Sequence, residues 1–414
     1  MISCPALSAP PIVRLPVGVR DFLPRAAARR RALAEGLLES FARWGYERII
    51  TPVLEYDDVL RRGLGEGRAS LRFVEPATGD VVALRPDITP QVARLVATRL
   101  ADAALPLRLC YEGAVLRLAP EGRGQRELIQ AGIELIGAPS PAGDAEVLAL
   151  AAAALGDGAP LTLDVGHVAL VREALSGVLP AAARELLGHI ARKDVAAVSQ
   201  ASRRLPKRAL VAALPELSGA PKDVLARARA LPLSKAAAGA LDELEQALAL
   251  AAAFGGRATF TLDLGEVRGF AYYTGIRFAG FVEGVGDAVL GGGRYDDLVG
   301  RYGRAVQATG MAVDVEALAE AAQARGVPAP GGELGVFVVA RDPARGARVA
   351  SALRARGLRA ALDLGTGPTA EAGWKNLVLD GGKLDGKKLP AGVLTAAASG
   401  DARSLAKLIS ERKS

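Results

Sequence analysis

One pair of side chains near the end of the first hundred residues could bind a positively charged group. In the segment 84–89, an acid (Asp87) and a hydroxyl (Thr89) stand at the expected mouth of a helix. The residue before a proline is driven to extended angles, and Thr89 followed by Pro90 is typical of a helix start, with the threonine as N-cap. Asp87 and Thr89 could therefore hold an ammonium group. A capped helix with a buried Arg85–Asp87 pair is the alternative interpretation.

A predicted antiparallel hairpin carries the next group of polar side chains. Its strands are expected at 114–118 and 128–136. Arg117 could bind a carboxylate or a phosphate through two parallel hydrogen bonds, or it could form an ordinary surface ion pair. Gln130 and Glu134 share one strand face, roughly 13 Å apart at about 3.3 Å per residue, and either enter a common space or lie on a solvated outer face.

A third group of candidate side chains lies in the predicted strand 268–281. Arg268 could clamp a carboxylate, and Tyr272 and Tyr273 offer hydroxyl donors on aromatic rings. A tyrosine pair is also ordinary strand packing. The three glycines at 291–293 allow a ligand or another strand to approach the backbone closely, and a plain turn or bulge remains an alternative.

Composition excludes several classes of function. With 414 residues the chain should form about two or three domains, and 50% hydrophobic with 23% charged residues is typical of a soluble globular protein. No P-loop and no dinucleotide-binding fingerprint occurs. The net charge of +7 fits either a solvated surface or a polyanion-binding surface.

The scarce histidines and cysteines restrict the chemistry further. Two histidines argue against His-based metal or acid–base sites, and two cysteines form neither a disulfide framework nor a zinc site. We therefore expect no metal and no cofactor, and a reducing cytoplasm as the location. Residues 1–14 lack the pattern of a secretory signal, and no apolar stretch reaches the roughly 18 residues of a membrane span.

Patterns of hydrophobicity divide the chain into three regions. A helix is expected at 26–44 and a short strand at 49–52. The predicted regions are a core at 1–167 and 256–325, an Ala/Leu-rich helical insertion at 168–255, and a small α/β unit at 333–414 that follows a Pro/Gly linker.

Taken in order, these segments resemble the class II histidyl-tRNA synthetase family over about residues 16–325. The matching segments are 18–24, 51–55 (the family's motif 1), 84–89, the motif 2 hairpin around Arg117, 268–275 and 291–296. The resemblance implies an α+β fold, a mostly antiparallel class II synthetase-like sheet flanked by helices, and a dimer formed through motif 1.

The same resemblance implies a histidine pocket. Its candidate residues are Asp87, Thr89, Arg117, Gln130, Glu134, Arg268, Tyr272 and Tyr273. Asp87 and Thr89 would meet the α-amino group, and Arg268 would face the carboxylate. Gln130, Glu134 and the tyrosines would surround the amino group and the imidazole, whereas Arg117 would be the arginine that holds the ATP α-phosphate in synthetases.

The chain departs from the synthetase pattern where ATP would bind. The family's motif 2 glutamate is replaced by Ala119, and the motif 3 arginine is replaced by Ala317, with Asp314 adding negative charge nearby. Losing one donor that stabilises developing phosphate charge commonly lowers the rate on the order of 10²-fold to 10³-fold. The histidine pocket is thus largely kept, and the ATP pocket is damaged.

Segments 85–94, 107–111 and 130–137 also resemble the regulatory subunit of short-form ATP phosphoribosyltransferase, a paralogue of the synthetase family. This resemblance implies no catalysis, the short-form catalytic subunit as partner, histidine as effector, and a homodimer within a hetero-oligomer. The C-terminal unit resembles a shortened anticodon-binding domain that is loop-like at 381–388, so we do not expect it to read tRNA. A divergent histidyl-tRNA synthetase and a non-catalytic RNA-binding or signalling paralogue remain alternatives.

Overall fold

The structure is a computed structural model that divides into two compact units. It describes residues 15–64, 70–121, 124–154, 160–255, 257–267, 272–328, 335–369, 373–390 and 392–410. Within these residues, one unit consists of 15–22 with 29–327 and the other of 23–28 with 328–410. None of the helices in the described part of the chain combines the length and apolar composition that crossing a bilayer requires.

A large, mostly antiparallel sheet forms the centre of the first unit. The strands of this unit are β1 (Glu47–Arg48), β2 (Leu54–Tyr56), β3 (Arg72–Val74), β4 (Val81–Leu84), β5 (Leu107–Glu121), β6 (Gln125–Ile136), β7 (Leu161–His167), β8 (Ser218–Gly219), β9 (Ala258–Asp263), β10 (Ile276–Val282), β11 (Leu290–Arg294) and β12 (Ala308–Asp314). Nine of them pair in the order β1-β5-β6-β12-β11-β10-β7-β9-β8, and β2-β4-β3 form a separate small sheet. Only β1 with β5 and β7 with β9 are parallel within the large sheet. This architecture confirms the predicted fold class.

Helices cover the large sheet and close the core. They are α1 (Pro24–Arg43), α2 (Asp57–Leu64), α3 (Thr89–Thr98), α4 (Ala142–Ala154), α5 (Val168–Ala174), α6 (Pro180–Ala191), α7 (Val195–Ser202), α8 (Arg208–Ala213), α9 (Pro221–Arg229), α10 (Lys235–Ala253), α11 (Asp297–Gly300) and α12 (Val315–Ala324). Buried side chains such as Phe41, Leu148, Leu163 and Leu244 belong to one continuous core. The predicted helical character of 168–255 is therefore observed, and its status as a separate domain stays a prediction.

The strand predicted at 49–52 is wrong. The chain is a strand at Glu47–Arg48 and again at Leu54–Tyr56, but not between them. The guanidinium of Arg85 explains the interruption, because its Nη1 donates to the Thr51 carbonyl at 2.9 Å. Pro52 has no N–H to offer a neighbouring strand. A distant side chain thus overrides a local pattern that favours a strand.

Arg85 also determines the shape of β5, which extends well beyond the strand predicted at 114–118. The strand is continuous because Gly113 leaves room for the Arg85 guanidinium, whose Nη2 occupies the place where a Cβ would stand. Nε of Arg85 donates to the Ala114 carbonyl at 2.8 Å. The neighbouring helix differs from prediction too. Ile88 is the N-cap of α3, and Thr89 is its first residue.

The second unit is a small α/β fold. Its elements are β13 (Gly335–Val339), α13 (Pro343–Arg354), β14 (Ala360–Leu362), β15 (Trp374–Val378), β16 (Lys383–Leu384), β17 (Lys387–Lys388), α14 (Val393–Ala398) and α15 (Arg403–Ser410). The strand order is β14-β13-β15-β16-β17, around a core that includes Val338, Leu353 and Leu377.

The prediction that 381–388 is loop-like is wrong. The segment forms the hairpin β16–β17, which extends the sheet. Asp385 and Gly386 connect the two strands with φ angles of +46° and +78°. An Asp-Gly pair with two positive φ angles is the preferred two-residue connection between strands, because its twist matches theirs.

Candidate functional site

A cavity of about 410 Å³ opens over the face of the large sheet, beside the start of α3. Seven of the eight predicted site residues line it: Asp87, Thr89, Arg117, Gln130, Glu134, Tyr272 and Tyr273. The eighth, Arg268, lies outside the described residues. Segments separated by almost two hundred positions in the chain therefore meet in one space.

Strand register determines which side chains face this cavity. In the pairing of β6 with β12, Glu134 stands opposite Gly310 and Gln130 opposite Asp314. Because side chains alternate between the two faces of a strand, Gly310, Ala312 and Asp314 share the cavity face. A Cβ at Gly310 would collide with the Glu134 carboxylate and the Ile133 carbonyl. Glycine is thus required there so that Glu134 can lie flat across β12.

Glu134 is the most deeply buried charged group of the site, with 1% of its surface exposed. Its carboxylate accepts hydrogen bonds from the hydroxyls of Tyr111, at 3.1 Å, and Tyr295. Burial raises the pKa of Glu134 well above its ordinary value. A cation that bound beside it would favour the ionised form, so this end of the cavity is suited to an ammonium or an imidazole N–H.

The neighbouring polar groups are held by the start of α3. Gln130 Oε1 accepts from the Ile88 amide at 3.3 Å, and Asp87 Oδ1 accepts from the Thr89 amide at 3.2 Å. The Thr89 hydroxyl lies 3.4 Å from that of Tyr111. Gln130 and Glu134 are buried, so the solvated outer face considered for them is wrong.

The sequence left open that Arg85 is buried as the partner of Asp87. The hydrogen bonds of the buried Arg85 go to other groups. The Arg85 guanidinium instead binds the Thr51 hydroxyl at 2.8 Å and the Gln91 side chain at 3.3 Å, away from the cavity. Asp87 therefore keeps its carboxylate on the cavity wall.

Three tyrosine rings line another part of the cavity. Tyr272 packs edge-on against Tyr273, with centroids 5.1 Å apart, and lies 5.3 Å from the Tyr295 ring. The segment is fixed from α5, because Arg172 donates to the Tyr273 carbonyl at 2.5 Å. The residues 272–275 are not part of a strand, since β10 begins only at Ile276. Such a ring cluster can enclose a flat heterocycle.

Two arginines also line the cavity, at different places. Arg117 lies on β5 four residues beyond Gly113, which pairs with Gln130, whereas Arg277 of β10 stands in the same row across the sheet as Glu134. Arg277 contacts Glu266 at 3.3 Å, but its buried Nε makes no hydrogen bond within the described residues. Acids and arginines around one cavity are complementary to a zwitterionic amino acid with a hydrogen-bonding ring. No cluster of three or more metal-ligating side chains occurs among the residues that the structure describes.

Comparison with known proteins shows which family the chain belongs to. The family model for histidyl-tRNA synthetase matches residues 18–318. The ATP phosphoribosyltransferase regulatory subunit of Syntrophotalea carbinolica is 45% identical over 316 residues, which covers 74% of each chain. That of Geobacter sulfurreducens is 40% identical over 363 residues, covering 84% of this chain and 83% of its own.

The chain belongs to the ATP phosphoribosyltransferase regulatory subunit family. That the relatives are named as regulatory subunits supports a non-catalytic role. A solved Bacillus halodurans structure described as an ATP phosphoribosyltransferase regulatory subunit/histidyl-tRNA synthetase superposes with a TM-score of 0.78 at 28% identity, over 90% of this chain and 99% of that one. The histidyl-tRNA synthetase of Nostoc sp. PCC 7120 shares the fold, with a TM-score of 0.73 at 20% identity over 96% of this chain and 99% of that one.

Within this regulatory-subunit fold, sequence reasoning missed two residues that line the cavity, Tyr295 and Arg277, and a third, Tyr111, that supports Glu134. Tyr111, Tyr295 and Arg277 were not among the predicted site residues, although the first two hold Glu134. Tyr295 lies within the matching segment 291–296, and Arg277 lies two residues before Ala279 on the cavity face of β10. Strand alternation could have found Arg277 once the cavity face of β10 was known.

Proposed function

We propose that the chain is the non-catalytic regulatory subunit of a short-form ATP phosphoribosyltransferase. In this role it is required for the activity of the catalytic subunit and for feedback inhibition by histidine at the first step of histidine biosynthesis. The names of its relatives support the partner and the pathway. The observation that supports histidine as the effector is the cavity itself, which is lined by the buried Glu134, by Asp87 and by the arginines Arg117 and Arg277.

In the proposed complex, histidine lies across β6 and β12. Asp87 and Thr89 bind the α-amino group, and Glu134 with Gln130 and the tyrosine rings binds the imidazole and the amino group. Arg268 and Arg277 bind the carboxylate, for which the buried Nε of Arg277 supplies a donor that lacks a hydrogen bond within the described residues. Arg117 adds a further positive charge to the cavity lining.

We further propose that the chain does not activate histidine with ATP. The position of the synthetase motif 3 arginine is Ala317, a fully buried residue in the first turn of α12. An alanine there supplies no cation to phosphate charge. The side chain of Ala119, the other replaced position, lies outside what the structure describes.

An exchange assay tests this proposal. We expect no histidine-dependent exchange of pyrophosphate into ATP above background, while an intact histidyl-tRNA synthetase in parallel shows robust exchange. Exchange by the purified chain at a comparable rate would contradict the proposed function and favour the alternative, a divergent synthetase.

We also propose that two copies associate through the small β2-β4-β3 sheet, the region of the motif 1 resemblance. Its exposed apolar side chains are Leu54, Tyr56, Phe73, Val74 and Val81. By strand register Leu54, Tyr56 and Phe73 lie on one face and Val74 and Val81 on the other. Exposed apolar side chains grouped on one small sheet mark a protein interface. The occupant is a second copy of this chain.

Phe73→Glu is expected to convert the dimer into a monomer, because a charge would be buried in the apolar contact. Light scattering after size exclusion measures the mass. Leu250→Glu, at a similarly exposed position on α10, is the matched control and should leave the mass unchanged. A Phe73→Glu protein that keeps the dimer mass would contradict this interface.

A further inference from the structure

The segment 272–275 supplies two of the three aromatic rings of the cavity, although it belongs to no strand. Tyr272 and Tyr273 line the cavity, and β10 begins only at Ile276. A segment within a sheet is held by a ladder of backbone hydrogen bonds to its neighbours. Outside the sheet, the position of these two rings depends on a few individual contacts.

Thr274 makes two of these contacts, and they bracket Tyr295, the third ring. The Thr274 amide donates to the Arg294 carbonyl at 2.7 Å, and the Thr274 hydroxyl accepts from the Asp296 amide at 2.9 Å. Arg294 and Asp296 are the residues on either side of Tyr295 in the chain. Thr274 therefore fixes the tyrosine segment directly against the backbone that carries Tyr295.

The backbone around Tyr295 is itself firmly anchored. Arg294 is 2% exposed, and its guanidinium donates to Asp144 at 2.9 Å and to Asp296 at 3.0 Å. The same Asp296 oxygen accepts from the Ala308 amide at 3.0 Å, and the Tyr295 amide donates to the Ala308 carbonyl at 2.8 Å. Thr274 thus connects a segment without strand pairing to a well-supported one.

The spacing of the rings matters because Tyr295 also holds the buried acid of the site. The Tyr295 hydroxyl donates to Glu134, and the Tyr295 ring lies 5.3 Å from that of Tyr272. A shift of 272–274 would change the space between the rings and the carboxylate without removing any group that lines the cavity. Thr274 itself is not among the lining residues in the described part of the chain. Any effect of Thr274 on binding therefore passes through the tyrosines.

We propose that Thr274 is a positioning residue for the effector, whose hydroxyl holds Tyr272 and Tyr273 at the distance from Tyr295 that binding an imidazole ring requires. This inference deepens the proposed function and rests on it, because it concerns the affinity of the same cavity for histidine. A binding group is effective only when the residues behind it hold it in the productive geometry.

The test replaces Thr274 by valine, which has nearly the same shape but cannot accept from the Asp296 amide, and by serine, which can. Histidine is titrated into the parent and each variant by calorimetry, and thermal melts of the same samples show that each is folded. We expect the dissociation constant for histidine to rise about tenfold in Thr274→Val and to stay within about twofold of the parent in Thr274→Ser. A purely structural role would lower the melting temperature of Thr274→Val and leave the affinity of the folded protein unchanged.

Thr78→Val is the matched control, because the Thr78 hydroxyl accepts from the Asp80 amide at 3.2 Å in the same manner but away from the cavity. This variant should bind histidine as the parent does. If Thr274→Val does not fold, Thr274→Ala, which also lacks the hydroxyl and adds no methyl group, takes its place with the same expected loss of affinity.

Three results would overturn the role of Thr274 while histidine binding by the parent upholds the proposed function. They are parental affinity in the variant that lacks the hydroxyl, a Thr274→Ser protein that binds as weakly as that variant, and an equal loss of affinity in Thr78→Val. A parent that does not bind histidine would contradict the proposed function itself, and the positioning role with it.

Discussion

Replacing Glu134 by glutamine is expected to weaken histidine binding by about 100-fold while leaving the unliganded protein as stable as the parent or more stable. Glutamine keeps a hydrogen-bonding group beside Tyr111 and Tyr295 but removes the negative charge. Hydrogen bonds to a charged group contribute about 1.5–3 kcal/mol, which accounts for most of the expected loss of affinity.

The gain in stability follows from the pKa of Glu134. Burial raises this pKa in the folded protein above its value in the unfolded chain, so that the folded state holds its proton more tightly. The resulting loss of folding stability is absent below the pKa of Glu134 in the unfolded chain. It grows as pH rises toward the pKa of Glu134 in the folded protein. The advantage of Glu134→Gln in the unliganded state should therefore increase from acidic to neutral pH.

Thermal melts between pH 4 and 8, with and without histidine, measure both effects. Glu146→Gln is the matched control, because Glu146 is a partly buried structural acid that pairs with Arg108 at 2.6 Å outside the cavity. It should lower the melting temperature and leave histidine affinity unchanged. Equal histidine affinities for parent and Glu134→Gln would contradict the assignment of the site.

Replacing Arg85 by methionine is expected to destabilise the first unit by about 3 kcal/mol or more. The guanidinium is 3% exposed and donates to Thr51, Ala114 and Gln91. Methionine fills part of the volume but leaves buried carbonyl oxygens unsatisfied, at about 1–3 kcal/mol each. Burial lowers the pKa of Arg85, because removal from water disfavours the charged guanidinium.

Urea unfolding followed by circular dichroism measures this change in the free energy of unfolding. Arg48→Met is the control, since Arg48 is half-exposed and forms a surface pair with Glu112 at 3.2 Å. Such pairs contribute about 0–1 kcal/mol. If the free energy of unfolding fell by the same small amount in both variants, Arg85 would not be the residue that shapes the segment 51–53 and β5.

Much of the candidate site could be predicted because its signals are local. Strand alternation places Gln130 and Glu134 on one face, and Thr89 followed by Pro90 indicates a helix start within one residue of the observed N-cap. Only the resemblance to a family brought the distant segments together, because no local pattern shows that β6 pairs with β12.

The remaining features depend on tertiary contacts. The break at 49–53 and the continuity of β5 both result from Arg85, which acts across about thirty residues of sequence. Tyr111 and Tyr295 became recognisable as partners of Glu134 only with the sheet order known. The hairpin at Asp385-Gly386 is different, since its turn chemistry was present in the sequence and was overlooked.

Reconstitution with a short-form ATP phosphoribosyltransferase catalytic subunit tests the central claim most directly. Phosphoribosyltransferase activity is measured for the catalytic subunit alone, with the parent chain and with Glu134→Gln, each with and without histidine. The account predicts that activity requires the chain, that histidine inhibits the parent complex, and that the Glu134→Gln complex is active but insensitive to histidine. Activity that does not depend on the chain, or equal inhibition of both complexes by histidine, would contradict it.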